Sequence, residues 1–366
     1  MRRVKGEWSR LSCGQGYTMT SRQAAIYGLS GLELTSDEID YISKASPLGF
    51  ILFSRNINNL EQVSKLVSHL KSFAQNGETL ILIDQEGGRV ARLRPPLVRD
   101  YPPAEIYGNI YNTNPEKASR AAYLGAVLMA KELLGVGINV DCTPCLDLSL
   151  PQTSDVIGNR AFSAFPEVVG ALGRSVAQGF LHEGALPVIK HIPGHGHGAV
   201  DSHEALPIVE ASLEVLVEDF APFRQSNTFP LAMTGHLVFN AIDAENVSTQ
   251  SSLLIEKIIR GHIGFDGLLM TDDISMKALS PDISITTHAQ RALQAGCDVI
   301  LHCNGEANEM FPLMEMLPKL TGKALDRAEK AMSFLKGNTS KISETLAEKE
   351  WRELISDHFP ESPKNV

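Results

Sequence analysis

The sequence has few cysteines, no excess of basic residues and no long apolar run. Only five of its 366 residues are cysteine, an odd and sparse count that does not fit a disulfide framework and favours a reducing compartment. The 33 Lys and Arg against 43 Asp and Glu give a formal net charge of −10, which disfavours nucleic acid and anionic lipid as partners. Because there is neither a signal-peptide core near the N-terminus nor an apolar stretch long enough for a membrane span, we predict a cytoplasmic protein.

Internal repeats, low-complexity tracts and Pro/Gly/Ser-rich linkers are also absent, so no feature of the sequence divides it into separate domains. We expect one catalytic domain over residues 19–340, followed by a C-terminal helix and tail over residues 341–366. Met19 is a candidate initiator methionine, and we expect residues 1–18 to be a disordered or misassigned leader. The hydrophobic content of 43% is enough to build a sizeable core without metals or disulfides.

The sequence does contain eight short apolar runs, each followed by a polar residue and then by a helical pattern. The runs begin at residues 25, 49, 79, 137, 186, 231, 267 and 297. They are apolar throughout, as strands buried on both faces of a parallel sheet are. The helix candidates between them include Leu60–Ala74, Pro115–Leu134, Val168–His182 and Leu253–Ile259. We predict an α/β fold, a single (β/α)8 TIM-type barrel with a C-terminal helical extension; the alternative is a doubly wound open sheet, whose Gly-rich first turn is missing here.

Ionisable residues stand at the ends of most of these runs, where barrel enzymes assemble their active sites. The set comprises Asp84, Asp141, Lys190, His191, His236, Asp272, Asp273 and His302. A lone Asp after a strand is more often a helix cap, and a lone His more often a core residue, and we favour these roles for Asp141, Asp273 and His302. The other residues all come to one rim of the predicted barrel, and this predicts a functional site. Ionisable groups that lie close together must each be paired with a partner, and this costs free energy unless function uses them.

The segment KHIPGHGHGAVDSH, residues 190–203, holds four histidines and three glycines within fourteen residues. It follows a predicted strand and should lie over the mouth of the barrel, where glycine permits close approach to a ligand. Asp201 stands two residues before His203, so the carboxylate can fix the tautomer of the imidazole and raise its basicity. This pair is a candidate acid/base unit, and Asp272 at the end of the seventh run is its natural partner as a nucleophile for acetal chemistry.

The remaining motifs are weaker. Cys142 and Cys145 have the C-x-x-C spacing of zinc and redox sites, but no second pair follows, and we favour two small buried residues. No Gly-Lys-Ser/Thr loop and no dinucleotide fingerprint is present.

Several motifs together resemble the single-domain bacterial β-N-acetylglucosaminidases (NagZ type) of glycoside hydrolase family 3. The matching stretches are GFILFSRN (49–56), IDQEGGRVARL (83–93), IGNRAFS (157–163), KHIPGHG followed by DSH (190–203), AMTGH (232–236), GFDGLLMTDDISMKA (264–278) and AGCDVILHCN (295–304). They span nearly the whole chain in the expected order, and KHIPGHG with a downstream DSH is the most specific of them. The chain departs from the pattern at His197, where many relatives carry a small aliphatic residue.

The resemblance implies a β-N-acetylhexosaminidase that retains anomeric configuration, with Asp272 as the nucleophile, His203 as the general acid/base and Asp201 orienting His203. It further implies a set of residues that bind the terminal N-acetylglucosamine: Asp84, Arg92, Arg160, Lys190 and His191. No metal and no organic cofactor is expected. The implied substrate is a small sugar, N-acetylglucosaminyl-β-1,4-anhydro-N-acetylmuramic acid with or without its peptide, released in peptidoglycan recycling, and we expect the enzyme to act as a monomer.

Two other functions compete with this interpretation. A metal-dependent barrel hydrolase would use the H-x-H pair His195 and His197 with Lys190, His236 and Asp272, but such enzymes usually carry that pair after the first strand rather than the fifth. A non-catalytic muropeptide sensor on the same barrel would need the sugar contacts but not an acid/base pair beside a nucleophile.

Overall fold

Parallel strands close into an eight-stranded barrel, and their order around the barrel follows their order along the chain. The computed structural model describes residues 22–74, 78–201, 206–336 and 342–360. The barrel strands are β1 (Gln23–Gly28), β2 (Pro47–Leu52), β3 (Leu80–Ile83), β4 (Val140–Asp141), β5 (Leu186–Ile192), β6 (Leu231–Thr234), β7 (Leu268–Asp273) and β8 (Val299–His302). Every neighbouring pair is parallel, and β1 pairs with β8 to close the ring.

Helices alternate with these strands and surround them. Their bounds are α1 (Ser36–Ala45), α2 (Leu60–Ser72), α3 (Ala104–Tyr111), α4 (Pro115–Gly135), α5 (Pro166–Glu183), α6 (Leu213–Gln225), a π-helix over Leu254–His262, α7 (Ile285–Ala295), α8 (Ala307–Met316), α9 (Gly322–Ser333) and α10 (Glu344–Ile355). Local sequence sets several of the starts. Thr35 caps α1 in a reciprocal capping box with Glu38, and Pro115 and Pro166 stand in the first turns of α4 and α5, where proline is tolerated.

The core has two layers because successive strand residues point to opposite faces. Ile26, Leu82 and Met270 belong to a cluster that fills the inside of the barrel, together with Ala328 and Ala331 of α9. The alternate strand residues, such as Tyr27 and Ile83, pack outward against the helices. Strands buried on both faces need apolar residues throughout, which explains why the runs in the sequence do not alternate.

The predicted (β/α)8 barrel is confirmed, and each of the eight apolar runs supplies one barrel strand. The open-sheet alternative is wrong, because β1 and β8 are hydrogen-bonded to each other. The C-terminal helix α10 lies outside the barrel, where the indole N–H of Trp351 donates to the Tyr107 hydroxyl of α3 at 3.2 Å. Residues 1–18 lie outside the described ranges, and the domain boundary near residue 341 stays a prediction.

None of the helices in the described ranges combines the length and apolar character that a membrane span requires.

Candidate active site

A cavity of about 240 Å³ opens at the carboxyl-terminal ends of the barrel strands. Its polar lining comes from four different stretches of the chain and comprises Asp84, Arg89, Arg92, Arg160, Lys190, His191 and Asp272. All five residues predicted to bind sugar therefore lie around one cavity with the predicted nucleophile. The parallel barrel produces this arrangement, because it brings the ends of all its strands to one rim.

Lys190 is the buried centre of this site. Its ammonium lies 3.0 Å from Asp84 Oδ1 and 2.6 Å from Glu86 Oε1, and its side chain is only 3% exposed. Burial opposes the charge on Lys190, but the two carboxylates outweigh burial and raise the pKa of Lys190 above its usual value. Arg92 approaches Asp84 from the other side, at 3.0 Å. Burial works against the charge on Asp84 as well, yet Lys190 and Arg92 hold its pKa below the usual range.

Glu86 joins Lys190 to Arg160. Its two carboxylate oxygens accept from Nε and Nη2 of Arg160, each at 2.8 Å, in the bidentate geometry that suits a guanidinium. Burial disfavours the Glu86 carboxylate, but Arg160 and Lys190 more than offset this and hold the pKa of Glu86 well below its usual range. Glu86 thus fixes two predicted sugar-binding cations in place.

His191 is held by Asp147. Its Nδ1 lies 2.6 Å from Asp147 Oδ2, and its backbone N–H also points to that carboxylate. Asp147 is fully buried; burial opposes its charge, but His191 outweighs this and keeps the pKa of Asp147 low. Because Nδ1 is committed to Asp147, Nε2 is the ring nitrogen available to a sugar.

Asp272 stands at the end of β7, beside an irregularity in the strand. The pairing of β7 with β8 shifts register between Met270 and Asp273, and such bulges redirect side chains at barrel rims. The backbone N–H of Asp272 donates to Thr234 Oγ1 at 3.3 Å, and Asp272 Oδ1 accepts from the Asp273 N–H at 2.8 Å. Behind the strand end, His236 Nε2 lies 3.0 Å from the carbonyl oxygen of Asp273. These contacts orient the Asp272 carboxylate at the cavity.

Three strand-end residues contact structural partners, which agrees with the structural roles that we favour for them. Asp141 Oδ1 accepts from the Gln85 N–H, and burial raises the pKa of Asp141 well above its usual value. Asp273 accepts from the Cys303 N–H and from Ser275. His302 Nε2 lies 3.2 Å from Glu309.

The loop after β5 sends its histidines to different partners. The backbone N–H of His195 donates to Asp147 at 2.8 Å, whereas the ring Nδ1 of His197 lies 2.8 Å from Asp219 of α6. The H-x-H pair therefore does not converge on Asp272, which weakens the metal-hydrolase alternative. Asp201 ends one of the described ranges, and His203, the predicted acid/base, lies outside them.

Cys142 and Cys145 are both buried and free, as expected of structural thiols. Cys142 packs inside the barrel. Cys145 Sγ lies 3.2 Å from Asp147 Oδ2.

The sequence interpretation missed two residues, Glu86 and Asp147. Glu86 is two positions after Asp84, at the start of a short hairpin formed by Gln85–Gly87 and Val90–Ala91. Because alternate residues of extended chain share a face, that spacing was a usable signal. Asp147 has no such signal, since it lies six residues past the end of β4 in an irregular segment.

Comparison with known proteins agrees with this geometry. The model of the glycosyl hydrolase family 3 N-terminal domain matches residues 24–337. The chain belongs to glycosyl hydrolase family 3. A β-hexosaminidase of Bordetella avium is 34% identical over 307 residues, which is 83% of this chain and 86% of that protein. A β-hexosaminidase of Shewanella frigidimarina is 36% identical over 327 residues, covering 87% and 91% of the two chains.

A solved structure is similar over the whole fold. NagZ from Neisseria gonorrhoeae, in complex with N-trifluoroacetyl-D-glucosamine, superposes with a TM-score of 0.81 at 28% identity. The match covers 92% of this chain and 98% of the Neisseria protein. The family 3 membership and the barrel make this chain a glycoside hydrolase, as the sequence motifs predict.

Proposed function

We propose that this family 3 enzyme is a retaining exo-β-N-acetylglucosaminidase, with Asp272 as nucleophile and His203 as general acid/base. The observation that carries the proposal is that Asp272 shares one cavity with the paired groups Asp84, Lys190 and His191. The two β-hexosaminidases and the sugar-analogue complex of NagZ support it, because they are similar over most of the chain.

The chemistry proceeds in two steps. An oxygen of Asp272 attacks the anomeric carbon, and the bond to the leaving oxygen breaks as His203 donates a proton to it. Water then attacks the same carbon, gives its proton to His203 and releases Asp272. Asp201 stabilises the charged form of His203, which is present before the first step and is regained at the end of the second. Two inversions at one carbon give net retention.

The paired charges serve recognition of the sugar. Asp84 offers a carboxylate that accepts from hydroxyl groups, while Arg92, Arg160 and Lys190 donate charge-assisted hydrogen bonds. Because Asp84 and Glu86 already hold these cations, the donors need little rearrangement when substrate binds. The substrate we propose is the N-acetylglucosaminyl-anhydro-N-acetylmuramic acid of peptidoglycan recycling, turned over in the cytoplasm by a monomer.

Trapping with a 2-fluoro glycoside tests the nucleophile. The label should appear on the peptide that contains β7 and map to Asp272. Asp272→Asn should lower turnover of a chromogenic N-acetyl-β-glucosaminide by roughly 1,000-fold or more while ligand binding survives. The exposed Asp282→Asn is a matched control and should retain its rate. A label on another carboxylate, or near-normal turnover by Asp272→Asn, would contradict the assignment.

Leaving-group dependence tests His203. Replacement of His203 by Ala should slow a disaccharide substrate far more than an activated aryl glycoside, because an acidic leaving group needs little protonation. Binding of the muropeptide without any turnover would instead favour the sensor alternative.

A further inference from the structure

A cluster of metal-ligand types lies beside the sugar cavity. Cys145, Asp147 and His191 each offer one ligand atom, these atoms lie within 4.8 Å of one another, and all three residues are buried. Cys145 Sγ is 3.2 Å from Asp147 Oδ2, and the same carboxylate oxygen is 2.6 Å from His191 Nδ1. Thiolate, carboxylate and imidazole are the ligands that Zn²⁺ takes in proteins.

The spacing is close to that of a tetrahedral site. Zinc ligands stand about 2.0–2.3 Å from the ion, so that neighbouring ligand atoms are roughly 3.3–3.8 Å apart. To reach that range, the Cys145–Asp147 separation needs to widen by roughly 0.6 Å at most and the Asp147–His191 separation by roughly 0.7–1.2 Å. Asp147 is already anchored by the backbone N–H groups of His191 and His195, which hold its carboxylate within the cluster.

His195 supplies a second observation. Its side chain is almost completely buried, and neither of its ring nitrogens has a hydrogen-bond partner among the described residues. Its ring centroid lies 6.2 Å from that of His191. Burial lowers the pKa of His195 and so disfavours the charged form of its ring. A buried imidazole without partners is costly, and this one stands next to His191, one of the three residues of the cluster.

We propose that Cys145, Asp147 and His191 bind a thiophilic divalent cation such as Zn²⁺ or Cd²⁺, and that its binding inhibits hydrolysis. On binding, the Cys145 thiol gives its proton to solvent and its sulfur bonds to the metal. His191 loses the proton on Nδ1, which becomes a ligand, and takes one up on Nε2. One proton is therefore released for each cation bound.

Inhibition follows from the change at His191. This residue lines the sugar cavity, and the shift of its proton turns the cavity-facing nitrogen from an acceptor into a donor. The metal also moves the ring out of its present bond to Asp147. This part of the inference rests on the proposed function, whereas the binding part does not.

Cadmium titration of the full chain tests the binding. Addition of Cd²⁺ to chelator-treated protein should produce the ultraviolet thiolate-to-cadmium charge-transfer band, saturating at one equivalent. Cys145→Ser keeps a donor to Asp147 but removes the thiolate, and it should abolish the band and weaken binding at least about 100-fold. Cys142→Ser is the matched control, three residues away inside the barrel, and should keep the band. Cys303→Ser should keep it too, and this variant matters because Cys303 lines the sugar cavity.

The rate of hydrolysis in the presence of Zn²⁺ tests the inhibition. The rate of each variant with Zn²⁺ is compared with the rate of the same variant in the presence of a chelator. Zinc should inhibit the wild type and Cys142→Ser but not Cys145→Ser. A band that survives in Cys145→Ser, or no band in the wild type, would overturn the site. Cadmium binding through Cys145 without any effect on rate would overturn the inhibition alone. A chain that binds cadmium in this way but cleaves no hexosaminide would refute the proposed function and leave the metal site standing.

Discussion

The Lys190 ammonium lies 2.6 Å from Glu86 Oε1, and both side chains are almost fully buried. Lys190 reaches the rim from β5, while Glu86 comes from the hairpin that follows β3. Glu86 also binds Arg160 through both of its oxygens. One carboxylate thus determines where two of the proposed sugar-binding cations stand, although it is not itself among the residues that line the cavity.

Removal of the charge of Glu86 should therefore damage both stability and activity. In Glu86→Gln the side chain keeps its shape, but Lys190 and Arg160 lose a shared counter-ion in a buried place. Loss of one partner of a buried ion pair costs about 3–5 kcal/mol, and we expect the free energy of unfolding to fall by that order. The KM for a chromogenic glucosaminide should rise more than kcat falls, since the cations bind sugar.

Urea unfolding and steady-state kinetics measure these effects. Glu61→Gln is the control, because Glu61 pairs with Lys65 on the exposed face of α2, where solvent screens the pair, and its loss should change stability little. An unchanged KM in Glu86→Gln would show that the cations keep their positions without this carboxylate.

A single methyl group on α3 should disturb the segment that carries Arg160. A Cβ at Gly108 would overlap the carbonyl oxygen of Phe162, two residues after Arg160, at a distance that real contacts do not show. We expect Gly108→Ala to lower the free energy of unfolding by about 1–3 kcal/mol and to reduce kcat/KM. Gly135→Ala at the end of α4 meets no atom within 4 Å and should change stability by less than about 1 kcal/mol. Equal stability of the two variants in urea would contradict the overlap.

Stability should depend on pH through His197. Its hydrogen bond to Asp219 raises the pKa of His197 above the usual value. A group whose pKa is raised on folding stabilises the fold fully below its unfolded pKa, about 6.5 for histidine, and loses this contribution as the pH rises through the folded pKa. Replacement by Gln should therefore lower the free energy of unfolding more at about pH 5.5 than at about pH 9.

Urea unfolding of wild type and His197→Gln at the two pH values measures this difference. His69→Gln, on the exposed face of α2, is the control for the replacement of a histidine by glutamine. If His197→Gln lowered the free energy of unfolding more at the higher pH, the pH dependence would have the opposite sign, and the contact with Asp219 would be excluded as its cause.

Chelation should not reduce activity. The rival metal hydrolase needs the rings of His195 and His197 to act together, but the His197 ring is held by Asp219, whereas neither ring nitrogen of His195 has a hydrogen-bond partner among the described residues. His236 is likewise committed, to Thr249 and to the carbonyl of Asp273. Dialysis against EDTA should therefore leave the rate on a chromogenic glucosaminide unchanged or raise it, and a loss that added Zn²⁺ restores would support the rival.

Much of the fold could be predicted from the sequence, because it rests on local patterns. Each apolar run became a strand, and the predicted helix Leu60–Ala74 is α2, Leu60–Ser72. Side-chain pairing was harder to predict. Asp84, Lys190 and Arg92 were found one by one as strand-end or motif residues, but no spacing along the chain indicates that Lys190 lies between Asp84 and Glu86.

The sequence by itself determined the barrel, the family and the residues at the strand ends, since apolar periodicity and motif order are properties of neighbouring positions. Only the tertiary structure decided which charges meet. Three buried carboxylates show this. Glu86 binds Arg160, 74 positions away, Asp147 binds His191, 44 positions away, and Asp219 binds His197, 22 positions away. Such contacts arise when the barrel closes, because closure brings the ends of distant strands to one rim and burial then requires every charge there to find a partner.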